Sequence, residues 1–193
     1  MVPQPIGTLR HVEPARDAAA CAAIYAPYVD GSAISFEEVA PGAAQLQARM
    51  EAAVRTHPWL VLEAGGEAIA FAYASAHRTR AAYRWACEVG IYVDPAAQRA
   101  GAGRRLYGAL FALLRRQGLR VVCAGITLPN DASVGLHRAM GFEQYGTQRA
   151  IGWKAGAWRD VSWWQLALVA DGADGGGADG PPPEPLGPQR LRD

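Results

Sequence analysis

One segment, residues 85–126, constrains the fold more than any other part of the chain. It begins with the strand-like "WACEVGIYV", turns at Asp94-Pro95 into a short glycine loop, and continues as a helical pattern that ends at Gly118. The apolar face of this helix consists of Leu106, Leu110, Leu113 and Leu114. The buried strand pattern "LRVVCAGI" follows. Glycine suits the left-handed position after a helix, and an apolar stripe must pack on a core. The segment therefore predicts an amphipathic helix between two strands.

The other segments alternate between strand and helix patterns in the same way. Strand patterns cover residues 7–13, 59–78 and 158–168, and a short extended piece covers 32–38. The second of these is a hairpin around Gly65-Gly66. Helical patterns cover residues 14–31, 41–58 and 130–142. This order predicts one α+β domain over residues 7–169, built around a central sheet.

Both termini differ from the domain in composition. Residues 1–6 form a short N-terminal extension, and residues 170–193 are dominated by Gly, Pro, Ala and Asp. Such a segment buries too little apolar surface to offset the entropy lost on ordering. We therefore expect residues 170–193 to be disordered.

Charge and composition argue against several classes of partner. The formal net charge of +1 gives no general signal for polyanion binding, although residues 98–120 carry six arginines and no acid. Without a recognition motif, we expect no nucleic-acid partner. No stretch approaches the ~20 apolar residues of a membrane span, and the N-terminus has no signal-peptide pattern. Three cysteines without CxxC spacing suggest reduced thiols in a cytoplasmic protein. We expect it to bind neither a membrane nor a metal.

The loop Gly101-Ala102-Gly103 lies where an anion could bind. It is not a P-loop, because no lysine follows Gly103, nor a dinucleotide-binding loop, because Leu106 replaces the third glycine. Its backbone N–H groups nevertheless precede a helix of about four turns, and glycine allows close approach to the main chain. An ordinary strand-to-helix turn explains the same residues equally well.

Glu88 is the acid that stands inside the apolar strand "WACEVGIYV". A carboxylate in such a strand is costly unless it is paired or used in chemistry. Strand alternation places Glu88, Gly90 and Tyr92 on one face. Glu88 could accept a proton as a general base, or it could pair with a nearby arginine such as Arg80 or Arg84. The residues alone leave both interpretations open.

Several stretches together resemble a known family. Gln98-Arg99-Ala100-Gly101-Ala102-Gly103 matches the Q/R-x-x-G-x-G/A motif of the GCN5-related N-acetyltransferases (GNAT). The stretch "PNDASVGLHRAMGF" is similar to that family's N-x-x-A/S-x-x-L-Y-x-x-x-G-F segment. Over residues 7–168 the chain resembles the phosphinothricin and methionine-sulfoximine acetyltransferases, through "HPWLV", "AYRWACEVGIYV", "LPNDASVGLH" and "GWKAGAWRDVSWWQL".

The resemblance implies a fold and a reaction. The fold is a mixed, mostly antiparallel sheet, splayed at the cofactor strand and flanked by helices. The reaction moves an acetyl group directly from acetyl-coenzyme A to a small-molecule amine. The amine implied by this branch, which includes herbicide-resistance enzymes, is the α-amine of phosphinothricin, methionine sulfoximine or methionine sulfone. The branch also implies a homodimer.

The resemblance assigns roles to individual residues. Glu88 is the expected general base, and His137 is expected either to protonate the leaving thiolate or to relay the amine proton. The residues expected to hold the cofactor are Ile91, Tyr92, Val93, Arg99, Ala100, Gly101, Ala102, Gly103, Arg104 and Asn130. Considered without the resemblance, Asn130 is a helix N-cap and His137 a structural histidine.

The acceptor pocket is also taken from the resemblance. The residues expected to bind the amine substrate are Phe36, Arg78, Arg80, Tyr83, Tyr92, Thr127 and Val161. As an alternative, Arg78 and Arg80 are surface charges on a loop. The chain departs from the herbicide-resistance enzymes at Arg78, Gly90 and Thr127, where lysine, threonine and glycine are common. These differences concern the acceptor and not acetyl transfer.

Other functions are compatible with the same patterns. The acceptor could be another amino acid, a polyamine or a protein N-terminus. A non-catalytic coenzyme-A-binding regulator would bind the cofactor without turnover, and the presence of both Glu88 and His137 argues against it.

Overall fold

The computed structural model describes residues 7–98, 100–169 and 182–191. The strands are β1 (Thr8–His11), β2 (Trp59–Ala64), β3 (Glu67–Ala76), β4 (Ala86–Val93), β5 (Val121–Thr127), β6 (Glu143–Lys154) and β7 (Ala157–Ala167). The α-helices are α1 (Pro14–Asp30), α2 (Ala43–Ala53), α3 (Ala102–Gln117) and α4 (Asp131–Ala139). In these described ranges the helices are too short or too polar to span a lipid bilayer.

The described strands form one sheet in the order β1-β2-β3-β4-β5-β7-β6. Neighbouring strands are antiparallel except β4 and β5, which are parallel. Helices α3 and α4 pack on one face, where Leu106, Leu110 and Leu114 of α3 are buried as expected and Leu113 is partly buried. Helices α1 and α2 cover part of the other face. The α+β class and the mixed, mostly antiparallel sheet are therefore confirmed.

The two parallel strands separate partway along their length. Their register joins only Ala86–Glu88 to Val121–Cys123, although β4 continues to Val93 and β5 to Thr127. We call this gap, between residues 89–93 of β4 and residues 124–127 of β5, the splay. Because the loop that leads to α3 starts at the end of β4, the splay opens toward the N-terminus of α3.

Local signals located most elements correctly. The hairpin expected over residues 59–78 is β2–β3, with Gly65 and Gly66 at φ +62° and +90°. Helix α3 ends at Gly118 in the left-handed conformation, as its sequence indicates. The helix expected over residues 41–58 is shorter, because α2 ends at Ala53 and a turn follows.

Two expectations differ from the structure. Residues 32–38 form bends and not an extended piece, and strand β6 has no counterpart among the expected strands. Residues 145 and 149–151 of β6 are bulged, and Gly146 and Gly152 weaken its pattern. The apolar alternation by which a strand is recognised is therefore lost.

Part of the expected disordered tail lies against the domain. Trp85 Nε1 donates to the Pro183 carbonyl at 2.9 Å, and Leu186 N–H donates to the Gln117 carbonyl at 2.8 Å. Over residues 182–191 the structure thus differs from the expectation, because a proline-rich stretch loses little further entropy when it docks. Residues 1–6, 170–181 and 192–193 lie outside the described residues.

Candidate active site

Glu88 is half-buried at the last position where β4 still pairs with β5. Its Oε1 lies 2.8 Å from Nδ1 of His77, in the loop after β3. Neither Arg80 nor Arg84 is its partner, since Arg84 pairs with Glu184. The alternative in which an arginine pairs with Glu88 is therefore not seen, and the partner is instead a histidine for which no role was expected from the sequence.

Three further groups lie close to Glu88 on the same side of the sheet. Cys123 is its register partner on β5. Burial raises the pKa of the Cys123 thiol, the Glu88 charge adds to this, and nearby Arg78 acts in the opposite direction. Burial raises the pKa of the Tyr145 hydroxyl on β6, the charge of Glu88 adds to this, and Arg78 acts in the opposite direction, so the hydroxyl lies within electrostatic range of both. Tyr145 lies in the strand that was not expected, so no sequence signal indicated it.

The cysteines match their expectation. Cys21, Cys87 and Cys123 are free and buried. Burial raises the pKa of Cys21 and of Cys87 to about 12, which keeps these thiols protonated and unreactive.

Arg78, Arg80 and Tyr83 line one cavity of about 360 Å³. The α2–β2 loop, through Arg55, and the C-terminal segment at Leu186 complete its wall. Among the described residues, neither Arg78 nor Arg80 forms an ion pair. Their charges therefore stay available to an anionic ligand.

Phe36, Thr127 and Val161 lie at the other end of the same face. Thr127 pairs with Val161 and donates its hydroxyl to the Ile34 carbonyl at 3.3 Å. Phe36 is 41% exposed and packs on Gly152, where a Cβ would lie 2.3 Å from its ring. The loop between α1 and α2 thus closes over the end of β5, and six of the seven predicted acceptor residues, all except Tyr92, fall into two groups on either side of Glu88.

Gly90 has a packing role that its sequence did not reveal. A Cβ there would lie 2.7 Å from the ring of Tyr73, its register partner on β3. Tyr73 in turn stacks on Trp59, with ring centroids 4.5 Å apart. Tyr73, Tyr92 and Ser75, the register partner of Glu88, line a second cavity of about 190 Å³ beneath α1 and α2.

Along β4, the backbone N–H and C=O groups of every second residue point toward the splay. Asp94 N–H donates to Ile69 on β3, whereas the Trp85 carbonyl accepts from Arg120 beside β5. Because polar groups alternate along a strand, the N–H groups of Ile91 and Val93 face the splay and that of Tyr92 faces β3. The N–H group of Tyr92 therefore points away from the splay, and its ring packs edge-on against Tyr25 at 4.6 Å.

The glycine loop forms the N-terminus of α3. Gly101 has φ +84°, and a Cβ on Gly103 would lie 2.9 Å from Leu136 of α4. Helical bonding starts at Arg105 N–H, which donates to Gly101 O at 3.1 Å, so the N–H groups of residues 102–104 have no acceptor within the helix. Arg104 is exposed, as is Ala100, and Arg99 lies outside the described residues. The loop is both a glycine-dependent turn and a helix N-terminus able to bind an anion.

His137 is buried on the opposite face from Glu88. Its Nδ1 donates to the Ser133 carbonyl at 2.8 Å, and its Nε2 accepts from the Tyr107 hydroxyl at 3.1 Å. Burial lowers the pKa of His137, so the ring is neutral near pH 7. The structure does not bring His137 and Glu88 together. Asn130 caps α4, because its Oδ1 accepts from Ser133 N–H at 3.1 Å.

Comparisons with known proteins identify the family to which a chain with this geometry belongs. A model of the Acetyltransferase (GNAT) family matches residues 19–142. The chain belongs to the GNAT acetyltransferase family. This GNAT acetyltransferase is 39% identical over 151 residues to phosphinothricin N-acetyltransferase of Streptomyces viridochromogenes, covering 78% of this chain and 82% of the relative. It is 36% identical over 148 residues to the L-methionine sulfoximine/L-methionine sulfone acetyltransferase of Pseudomonas paraeruginosa, covering 76% and 86%.

A solved structure resembles the whole fold of this GNAT acetyltransferase. The phosphinothricin acetyltransferase of Sinorhizobium meliloti, solved in complex with AcCoA, superposes with a TM-score of 0.83 at 33% identity. The match covers 94% of this chain and 95% of that one. The GNAT fold and the N-acetyltransferase class expected from the sequence are thus confirmed.

Proposed function

We propose that this acetyltransferase transfers an acetyl group from acetyl-coenzyme A to the α-amine of a small amino-acid analogue of the phosphinothricin or methionine sulfoximine type. One observation carries the proposal: a half-buried carboxylate, Glu88, stands where the splay begins, and its charge acts on Cys123 and Tyr145 together with that of Arg78, which has no ion-pair partner among the described residues. The relatives that act on such compounds support the choice of acceptor.

The acceptor is held by charge. Arg78 and Arg80 bind its carboxylate, since guanidinium groups pair well with planar anions. Tyr83 and Tyr145 add hydroxyl groups at the same end, and Phe36, Thr127 and Val161 close the other end. The amine then lies next to Glu88, which takes its proton and leaves a nitrogen lone pair free to attack the acyl carbon.

The cofactor fits the splay and the α3 N-terminus. The N–H groups of Ala102, Gly103 and Arg104 bind the pyrophosphate, together with residues 99–101 of the loop. The N–H groups of Ile91 and Val93 face the thioester carbonyl and stabilise the oxyanion that develops there. Asn130, already engaged as a cap, lies beside the coenzyme arm at the start of α4.

The leaving thiolate takes up the second proton that the attacking nitrogen must lose, and we propose that His137 relays it. Its Nδ1 lies 3.3 Å from the Ser133 hydroxyl as well as near the Ser133 carbonyl. This hydroxyl connects the buried, neutral ring with the half-exposed start of α4.

The test is release of free coenzyme A thiol when the purified protein is mixed with acetyl-coenzyme A and an acceptor. We expect turnover with phosphinothricin, methionine sulfoximine or methionine sulfone, and an N-acetyl product by mass spectrometry. Turnover only with polyamines, other amino acids or peptides would overturn the proposed acceptor. Cofactor binding with no turnover on any amine would support a regulator instead.

We also propose a cytoplasmic homodimer. Ile151, Trp153 and Trp158 are 53%, 60% and 63% exposed at the tip of β6–β7. The two tryptophan rings are 5.5 Å apart, and an apolar surface of this kind is suited to a second copy of the chain. Light scattering should give a dimer mass for the protein and a monomer mass for Trp158→Arg. A wild-type monomer would contradict the assembly.

A further inference from the structure

His77 is the one partner that the structure gives to the Glu88 side chain within the described ranges. The histidine belongs to the loop immediately after β3, and its side chain is 12% exposed against 32% for Glu88. Its Nδ1 approaches Oε1 of Glu88 to 2.8 Å. The family motifs assign no role to this residue.

The hydrogen bond has a definite direction. An ionised carboxylate only accepts hydrogen bonds, so the proton of the pair is on Nδ1 of His77. In the described part of the chain, the second oxygen, Oε2, has no hydrogen-bond donor. The Tyr83 ring packs edge-on against the imidazole, with centroids 5.7 Å apart, and supports it from the other side. One oxygen of Glu88 is therefore held while the other is free.

We propose that His77 is a positioning residue for acetyl transfer, which holds Oε1 of Glu88 so that Oε2 points to the acceptor amine. The inference rests on the proposed function, in which Glu88 is the base. In that step the proton moves from the ammonium nitrogen to Oε2. The nitrogen then forms the bond to the acyl carbon as the carbon–sulfur bond breaks, and the second proton that the nitrogen loses goes to the departing thiolate. His77 keeps its proton throughout and never touches the substrate.

The groups around the Glu88–His77 pair allow its effect on the pH dependence of kcat/KM to be separated from that of other carboxylates. The titratable or charged groups that face it are Arg78 from the same loop, Tyr83 from the following turn, Tyr73 from β3, Cys123 from β5 and Tyr145 from β6. None of these is a second carboxylate. A change in the acidic limb of the kcat/KM profile of a His77 variant is therefore a change in the Glu88–His77 pair.

Two substitutions separate positioning from simple support of the loop. His77→Phe keeps a planar ring against Tyr83 but removes the donor, whereas His77→Asn keeps an N–H donor near the place of Nδ1. For His77→Phe we expect kcat to fall by about tenfold or more, part of the ~100-fold contribution of a general base. The KM for acetyl-coenzyme A should stay unchanged. His77→Asn should recover most of the rate.

The outcomes also distinguish this inference from the proposal on which it rests. If Glu88→Gln is inactive while His77→Phe keeps the wild-type kcat and pH profile, His77 does not position the base. The inference is equally wrong if His77→Asn loses as much rate as His77→Phe. If Glu88→Gln turns over normally, the base assignment itself fails. Melting temperatures of all variants show whether a loss of rate is a loss of folded protein.

Discussion

Two carboxylate clusters on the sheet show how similar groups come to have different uses. In the first, Asp17 is 2% exposed, and both of its oxygens bind Arg10 at 2.6 and 2.7 Å. Arg10 also donates to Glu63 at 2.7 Å, and Glu13 N–H donates to Asp17 at 2.7 Å. In the second, His77 occupies only one oxygen of Glu88. Because both oxygens of Asp17 are bound, the first cluster, which we call saturated, joins α1 to β1 and β2. In the second cluster, one oxygen of Glu88 stays free for chemistry.

The largest effect should come from breaking the saturated cluster. Asp17→Asn leaves Arg10 without its main counter-charge, and we expect a loss of about 3 kcal/mol in the free energy of unfolding. Urea denaturation measures it, and kcat below the melting transition should not change. The matched control is Glu51→Gln, an exposed helix carboxylate that contacts Gln47, which should shift stability by less than about 0.5 kcal/mol. An Asp17→Asn variant with wild-type stability and a reduced kcat would contradict the structural role given to the Asp17 cluster.

Gly90, two residues after Glu88 in β4, is packed closely by the ring of Tyr73. Gly90→Ala introduces a Cβ 2.7 Å from that ring, and Trp59 blocks the ring from retreating. We expect a loss of about 1–3 kcal/mol from overpacking and a raised KM for the acceptor. A Cβ added to Gly108 in α3 would meet no neighbour within 4 Å, so Gly108→Ala is the control and should be neutral or stabilising. Equal behaviour of the two variants would contradict the packing argument.

The smallest expected effect is that of acid pH on the free energy of unfolding, through the Asp17 cluster. Burial alone would raise the pKa of Asp17, but the hydrogen bonds from Arg10 and Glu13 outweigh it, and the pKa is lowered. The folded state then binds its proton less readily than the unfolded chain, whose aspartates titrate near pH 3.9. The stabilisation is complete above that pH and is lost as pH falls below it. The free energy of unfolding should therefore drop more steeply below about pH 4 in the wild type than in Asp17→Asn. Parallel curves would contradict this.

The features that could be predicted are those that depend on residues close together in the sequence. The β2–β3 hairpin follows from Gly65-Gly66, the end of α3 from Gly118, and the face of Glu88 from strand alternation. Strand β6 was missed because its bulges remove the alternation.

The site was harder to predict where it depends on register between strands. His77 meets Glu88 only because β3 and β4 pair Ala76 with Cys87, and no local pattern encodes that register. Tyr73 over Gly90 is another cross-strand contact of the same kind. The family motifs indicated Glu88, but they contained no information on what holds it. The burial of His137 against Tyr107 likewise appears only when α3 and α4 are packed.

The most direct test of the account is the kcat of Glu88→Gln, measured by thiol release across the pH range with saturating acetyl-coenzyme A. The amide keeps an acceptor for His77 but cannot take a proton. We predict a fall of about 100-fold or more in kcat, with unchanged melting temperature and unchanged affinity for acetyl-coenzyme A. A Glu88→Gln variant whose kcat stays within about threefold of wild type at every pH would contradict the assignment of Glu88 as the base.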